Sequence, residues 1–164
     1  MTHGAVHGEI MAAAERIKEL TSRREARDPV NQPTINNWLE AMGVDNPRFA
    51  AGEAPPSMAQ VWTMYGLGGK PAADDPLHAM MNVLTDAGFT AVLGTNSEQS
   101  YDRYLRVGEQ VRVETALESV VGPKSTGMGE GYFVTSKSTW FVGDEPVGSM
   151  LFRVFKFKPK AGVA

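Results

Sequence analysis

The 164-residue sequence contains no cysteine, which excludes a disulfide framework, a thiol nucleophile and any cysteine-ligated metal. Histidine is nearly as scarce. His3, His7 and His78 are the three present, too few for an imidazole-rich metal centre, and no metal is expected. There is no long apolar run, so no membrane-spanning helix is expected. No basic block interrupts a net charge of −3, which argues against general binding to nucleic-acid phosphates. The amino terminus lacks the basic-then-apolar pattern of a signal peptide, so a cytoplasmic location is expected. What remains is ordinary for a globular chain: 42% hydrophobic and 21% charged residues, long enough for one domain with a real core.

Along the chain, Ile10, Met11, Ala14, Ile17 and Leu20 recur at helical spacing, predicting an amphipathic helix from Ala5 to about Ala26. His3 and His7, in or before its first turn, read as solvated. A second helix opens at Asn31-Gln32-Pro33, with Asn31 as cap, and stops at Gly43. Arg48 to Pro56 reads as a loop. Ser57 to Tyr65 is short, apolar and ambiguous in type, and is read as a first strand. Gly66 to Pro76 is too rich in glycine and proline for regular structure, and it lacks the P-loop spacing. Asp75-Pro76 then starts a helix of about three turns, Leu77 to Ala87, with Leu77, Met80, Met81 and Leu84 on one face. His78 reads as structural or solvent-facing.

From Thr90 the pattern changes to strands: Thr90–Tyr104, Glu109–Val121, Met128–Val142 and Val147–Phe157, separated by turn signals. Val111, Val113, Thr115 and Leu117 alternate with more polar neighbours, so one face is buried; the last strand is apolar on both. One helix followed by four antiparallel strands, with one earlier strand, implies an α+β fold in which a curved sheet wraps a short central helix.

The turn Gly43-Val44-Asp45-Asn46-Pro47-Arg48-Phe49 resembles the hydratase motif of the MaoC-like (R)-specific enoyl-CoA hydratases: Ser-Gly-Asp, any residue, Asn-Pro, any residue, His. Gly43, Asn46 and Pro47 match. Val44 stands at the Asp position and Phe49 at the His position, and neither can move a proton. Taken alone, these residues are equally well a helix stop and turn. Further on, Tyr104-Leu105-Arg106-Val107-Gly108-Glu109-Gln110-Val111 is similar to the element with which these families enter their third strand. Gly122-Pro123-Lys124-Ser125-Thr126-Gly127-Met128-Gly129 is similar to their glycine-rich hairpin. In order, these elements span residues 30 to 157 of a hot-dog domain. The whole resembles the amino-terminal, catalytically degenerate half of the larger subunit in actinobacterial two-subunit steroid side-chain enoyl-CoA hydratases.

That resemblance implies a helical extension over 1–30, a hot-dog domain over 31–158 and a tail or linker over 159–164. It implies a non-catalytic, substrate-shaping subunit of a hydratase for a cholesterol side-chain enoyl-CoA. An Asp/His-bearing MaoC-like partner would complete a heterodimer or α2β2 heterotetramer, with the CoA thioester as substrate and no other cofactor. An aldolase or thiolase-like partner would dock through a carboxy-terminal module beyond this chain. The short central helix leaves room for a bulky apolar group, with Met58, Trp62, Tyr65, Met80 and Phe89 as candidate lining; taken singly, each reads better as ordinary core. Lys124, Ser125, Thr126 and Gly127 are candidates for the nucleotide end of CoA, although a solvated turn has the same composition. Two other readings stay open: a stand-alone acyl-CoA-binding homodimer, and a hot-dog thioesterase using Glu53 or Asp86.

Overall fold

A computed structural model describes residues 3–160, with side chains from Gly4 onward. The side chain of His3 and the expected tail beyond Lys160 lie outside the described residues. Helix α1 (His3–Lys18) leads to strand β1 (Thr21–Glu25), followed by helix α2 (Gln32–Met42) and three single turns: α3 (Pro47–Ala50), η1 (Pro56–Met58) and α4 (Ala59–Trp62). Helix α5 (Pro76–Asp86) precedes strands β2 (Ala91–Tyr101), β3 (Val111–Ser125), β4 (Gly129–Val142) and β5 (Glu145–Pro159). The five strands form one antiparallel sheet in the order β1-β3-β4-β5-β2. Register shifts in β2, β3 and β5 mark bulges that bend it. The result is the α+β hot-dog arrangement expected. No helix among the described residues is long and apolar enough to cross a membrane.

The sequence expectations hold where local chemistry decides. Asn31 accepts from the Thr34 N–H to cap α2, Gly43 ends it in the left-handed conformation with φ 64°, and Asp75 caps α5 by accepting from His78 N–H. Three expectations of secondary structure are corrected, the first being the loop expected over 48–56, which begins inside the helical turn α3. The helix expected to run to Ala26 ends at Lys18, and residues 21–25 pair with β3 instead. Arg23, Arg24, Glu25 and Ala26 suit a helix by propensity, but ladder bonds to β3 and burial of Ser22 win. The segment 1–30 therefore supplies an edge strand of the sheet as well as a helix. The segment expected as a first strand, Ser57 to Tyr65, is helical at 56–62. Pro55-Pro56 pre-sets a helical start, and Met58 and Trp62 are buried at i, i+4.

Two apolar clusters cover the helix-bearing face of the sheet. One joins α1 and α5 to the sheet through Ile10, Ala14, Ile17, Met80, Leu84, Leu117, Val134 and Val154. The other joins α2 and the 47–62 turns through Ile35, Phe49, Met58, Trp62, Val113 and Trp140. Trp140 is 1% exposed and its indole N–H donates to Thr63 Oγ1 at 3.1 Å, which fixes the turns over this half. His7, expected to be solvated, is half-buried, with Nδ1 3.0 Å from the Tyr132 hydroxyl.

Where β4 crosses β5 the backbones approach so closely that a Cβ on Gly131 would lie 2.2 Å from the Lys156 carbonyl oxygen and 2.6 Å from Phe157 Cα. Exposed Gly8, inside α1, has no neighbour within 4 Å. Gly131→Ala is expected to cost about 3 kcal/mol or more, whereas Gly8→Ala should add about 0.5–1 kcal/mol. Urea-unfolding midpoints should move in opposite directions.

Candidate functional site

The turn between α2 and α3 has Val44 and Phe49 at the two positions singled out in the sequence. Gly43 N–H bonds to the Glu40 carbonyl and Val44 N–H to the Leu39 carbonyl, closing α2. Asn46 accepts from the Arg48 N–H and begins α3 at Pro47. Val44 is an exposed aliphatic residue at 37%. Phe49 points inward, 8% exposed, with its ring centroid 6.2 Å from that of Tyr104. The position that would hold an imidazole is thus a core residue, tied further by a bond from Gln32 Nε2 to the Phe49 carbonyl.

The nearby carboxylate is committed elsewhere. Arg48 Nε donates to Glu53 Oε2 at 2.6 Å while the guanidinium lies 4.3 Å above the Tyr104 ring, and Arg106 Nη2 is 3.5 Å from Glu53 Oε1. The bond from Arg48 holds the Glu53 carboxyl below its ordinary range, with the charges of Arg48 and Arg106 acting in the same direction. A general base needs the opposite tuning. Asp86 lies across the molecule, beside Glu9 and Arg16 in an open groove of about 480 Å³ between α1 and α5. No cluster of metal-ligating side chains occurs among the described residues.

The candidate lining residues divide between the two clusters. Met58 and Trp62 belong to the cluster under α2, while Met80 and Phe89 belong to the one under α5. Tyr65 joins Trp62 at a cavity of about 180 Å³ bordered by Arg27, Asn31 and Met64. Arg24 stacks 3.9 Å from the Tyr65 ring centre. Trp62 Nε1 and the Tyr65 hydroxyl are buried with no partner among the described residues. The structure therefore brings these five residues together as two groups, not as one wall.

Where the two clusters meet lies a strip that periodicity alone did not single out. The register aligns Thr115, Ser138, Met150 and Gln99 in one cross-strand row, and Leu117, Ser136, Phe152 and Ser97 in the next. The flanking rows are Val113–Trp140 on one side and Val120–Val134–Val154 on the other. From Trp140 to Val134 is six residues, roughly 20 Å along the strand. Phe152 borders both clusters, and Thr115 Oγ1 lies 3.2 Å from Ser138 Oγ. The available signal was the β4 alternation Tyr132, Val134, Ser136, Ser138, Trp140, where hydroxyls replace apolar residues in mid-face.

Lys124, Ser125, Thr126 and Gly127 lie at the β3–β4 hairpin. The Thr126 hydroxyl donates to the Gly129 carbonyl and accepts from the Gly129 and Met128 N–H groups, while Lys124 and Ser125 are exposed. Lys158 lies across β4 from this hairpin, with Nζ 4.4 Å from the Phe89 ring centre, and exposed Lys160 follows it. Strand β5 carries Lys158 and leads to Lys160, expected in the tail or linker, at the same end of the sheet as Lys124. On the opposite side, β2 is an edge strand bonded to β5 alone, eleven residues long and exposed along nearly its whole length.

A family model described as FAS1-like, dehydratase domain region, matches residues 21–150. The chain is 52% identical to the 3-oxo-4,17-pregnadiene-20-carboxyl-CoA hydratase alpha subunit of Mycobacterium tuberculosis (strain ATCC 25618 / H37Rv), over 83% of this chain and 47% of that protein. It is 34% identical to a probable enoyl-CoA hydratase alpha subunit of Thermomonospora curvata, over 87% of this chain and 50% of that one. The chain thus spans about half the length of the curated relatives it matches. Its fold superposes on a chain of the ChsH1-ChsH2 complex from Mycobacterium tuberculosis with a TM-score of 0.89, at 48% identity and 95% coverage of both chains. With most of its sheet inside the matched region and a relative at 52% identity, the chain belongs to the FAS1-like dehydratase domain family and has its hot-dog fold.

Proposed function

We propose that this chain is the substrate-shaping, non-catalytic half of a heteromeric enoyl-CoA hydratase acting on a steroid side-chain thioester. What supports the reading is the turn at 43–49, in which exposed Val44 and buried Phe49 stand where the motif it resembles has its Asp and His. Hydration needs a base to take a proton from water as oxygen bonds to the β-carbon, and an acid to protonate the α-carbon. An Asp/His-bearing MaoC-like partner supplies both. The relatives named as hydratase alpha subunits support a heteromer, and the name of the first supports a steroid substrate.

The partner docks along β2. This long strand carries one acidic residue, Glu98, no lysine and no proline, so beyond the bulge at 94–96 its free backbone groups are open to pairing. The adenine-nucleotide phosphates of CoA meet the sheet end that carries Lys124, Ser125, Thr126 and Gly127, joined by Lys158 and Lys160. Fused rings occupy the helix-bearing face, where Met58 and Trp62 on one side and Met80 and Phe89 on the other are the supporting walls, with Tyr65 behind Trp62.

Alone, the purified chain should show no hydration of a steroid enoyl-CoA by loss of enoyl absorbance, and activity should arise on addition of an Asp/His-type partner. Turnover by the chain alone would overturn the division of labour; binding of acyl-CoA without any partner-dependent turnover would favour a stand-alone binding homodimer.

Adjacent β2 residues direct their N–H groups to opposite sides of the strand. Of Glu98→Pro and Gln99→Pro, one should break the ladder to β5 and lower the melting temperature. The other should fold normally but bind the partner at least about tenfold more weakly, as read by size-exclusion chromatography and titration. Undiminished association in the normally folded variant would contradict docking at this edge.

A further inference from the structure

We infer that the cavity behind Trp62 seats a small monocarboxylate, a second site that goes beyond the hydratase reading and does not rest on it. This cavity of about 180 Å³ is lined by Trp62, Tyr65, Arg27 and Asp28, with Val61 and Met64 as its apolar part. Trp62 is 7% exposed, and its indole N–H and the Tyr65 hydroxyl are sealed from solvent with no hydrogen-bond partner among the described residues. An indole N–H can only donate, so what it lacks is an acceptor. Buried donors left without one are destabilising and few. The cavity also holds an unspent charge, since Arg27 has no ion pair or hydrogen bond among the described residues. Its guanidinium is held close to the backbone of Gly66, where a Cβ would lie 2.5 Å from Arg27 Nη1. Arg24, stacked on the Tyr65 ring and donating from Nε to the Thr63 carbonyl, adds a second cation behind the wall.

These groups define the ligand's chemistry. Two neutral donors and a guanidinium call for an anionic acceptor group. Asp28 on the same lining repels a second negative charge, which disfavours a phosphate dianion or a dicarboxylate and leaves a single carboxylate. Val61 and Met64 offer contact to a short alkyl chain, and space for about six waters at ~30 Å³ each limits that chain to a few carbons. Both orphan donors lie within the wall, so the wall yields as the carboxylate enters; Met64, 59% exposed and unbranched, is the side chain free to move. Strand β1, which leads into Arg27, is the sheet edge opposite β2, four strand spacings or roughly 19 Å away. The site is therefore remote from a partner paired along β2. Because the Trp62 ring packs with Ile35 and Met58, an occupant bound to its N–H steadies that half of the face.

The test is an NMR titration of the isotope-labelled chain, read at the indole N–H signals of Trp38, Trp62 and Trp140, with that of Trp62 assigned from Trp62→Phe. Sodium butyrate is the probe, sodium chloride at equal ionic strength the blank, and butyramide the uncharged isostere. Butyrate should move the Trp62 signal saturably, while that of Trp140, which already donates to Thr63, moves little. Butyramide should bind at least about tenfold more weakly, and Arg27→Gln should weaken butyrate binding by a similar factor. Gly66→Ala keeps the charge but places a Cβ where the guanidinium now lies, and it should weaken binding too. An unchanged Trp140 signal in the free variants shows that they are folded. No saturable movement with butyrate, equal binding of butyramide, or an affinity unchanged in Arg27→Gln would overturn the proposal and leave the cavity to ordered water.

Discussion

The structure depends on a mismatch of lengths. Helix α5 has 11 residues and β4 has 14, which corresponds to about 16 Å of helix against roughly 46 Å of strand. A helix that short cannot cover the face of the sheet on which it rests. The uncovered part is closed by α2 and the irregular turns at 47–62, held down where Trp140 bonds Thr63 and Ile35, Met58 and Trp62 pack on the same half. Two clusters result instead of one continuous core, and the polar rows at Ser136 and Ser138 lie where they meet. The sparing use of helix is thus the feature that divides this face between two clusters.

The turn at 43–49 is held by its own backbone chemistry. Gly43, Asn46 and Pro47 are retained because a left-handed helix stop and an Asn cap need those residue types. Phe49 contributes more to stability in the core than a half-buried imidazole would, since its ring packs against Tyr104 without a charge to desolvate. The Arg48–Glu53–Arg106 group around it is held by its ion pairs and is not poised for proton transfer. A subunit relieved of catalysis can commit this corner to packing, provided that the acid and base arrive from across an interface.

What was legible in the sequence was what neighbours in the chain decide. Asn31, Gly43 and Asp75 fixed helix ends, and the strands from residue 90 onward were bounded by their turns. The errors at 21–25 and 57–65 have one cause: short segments take their structure from distant partners, β3 in the first case and the Trp140 half of the sheet in the second. The helix stop and turn around Val44 and Phe49 were readable because Gly43 and Asn46-Pro47 have fixed spacing. The grouping of Met58 and Trp62 apart from Met80 and Phe89 was not, because it depends on which helix covers which half of the face. Ser136, Ser138 and Thr115 became visible only when strand register aligned them.

The account's central claim is that the catalytic groups enter along the free edge of β2. Amide hydrogen exchange over Ala91–Tyr101, measured on this chain with and without an Asp/His-type hydratase subunit, tests it directly. Alternate amides of β2, those facing away from β5, should exchange quickly in the isolated chain and become strongly protected in the complex. Formation of a stable complex with these amides unchanged, and protection appearing on another surface, would contradict the account.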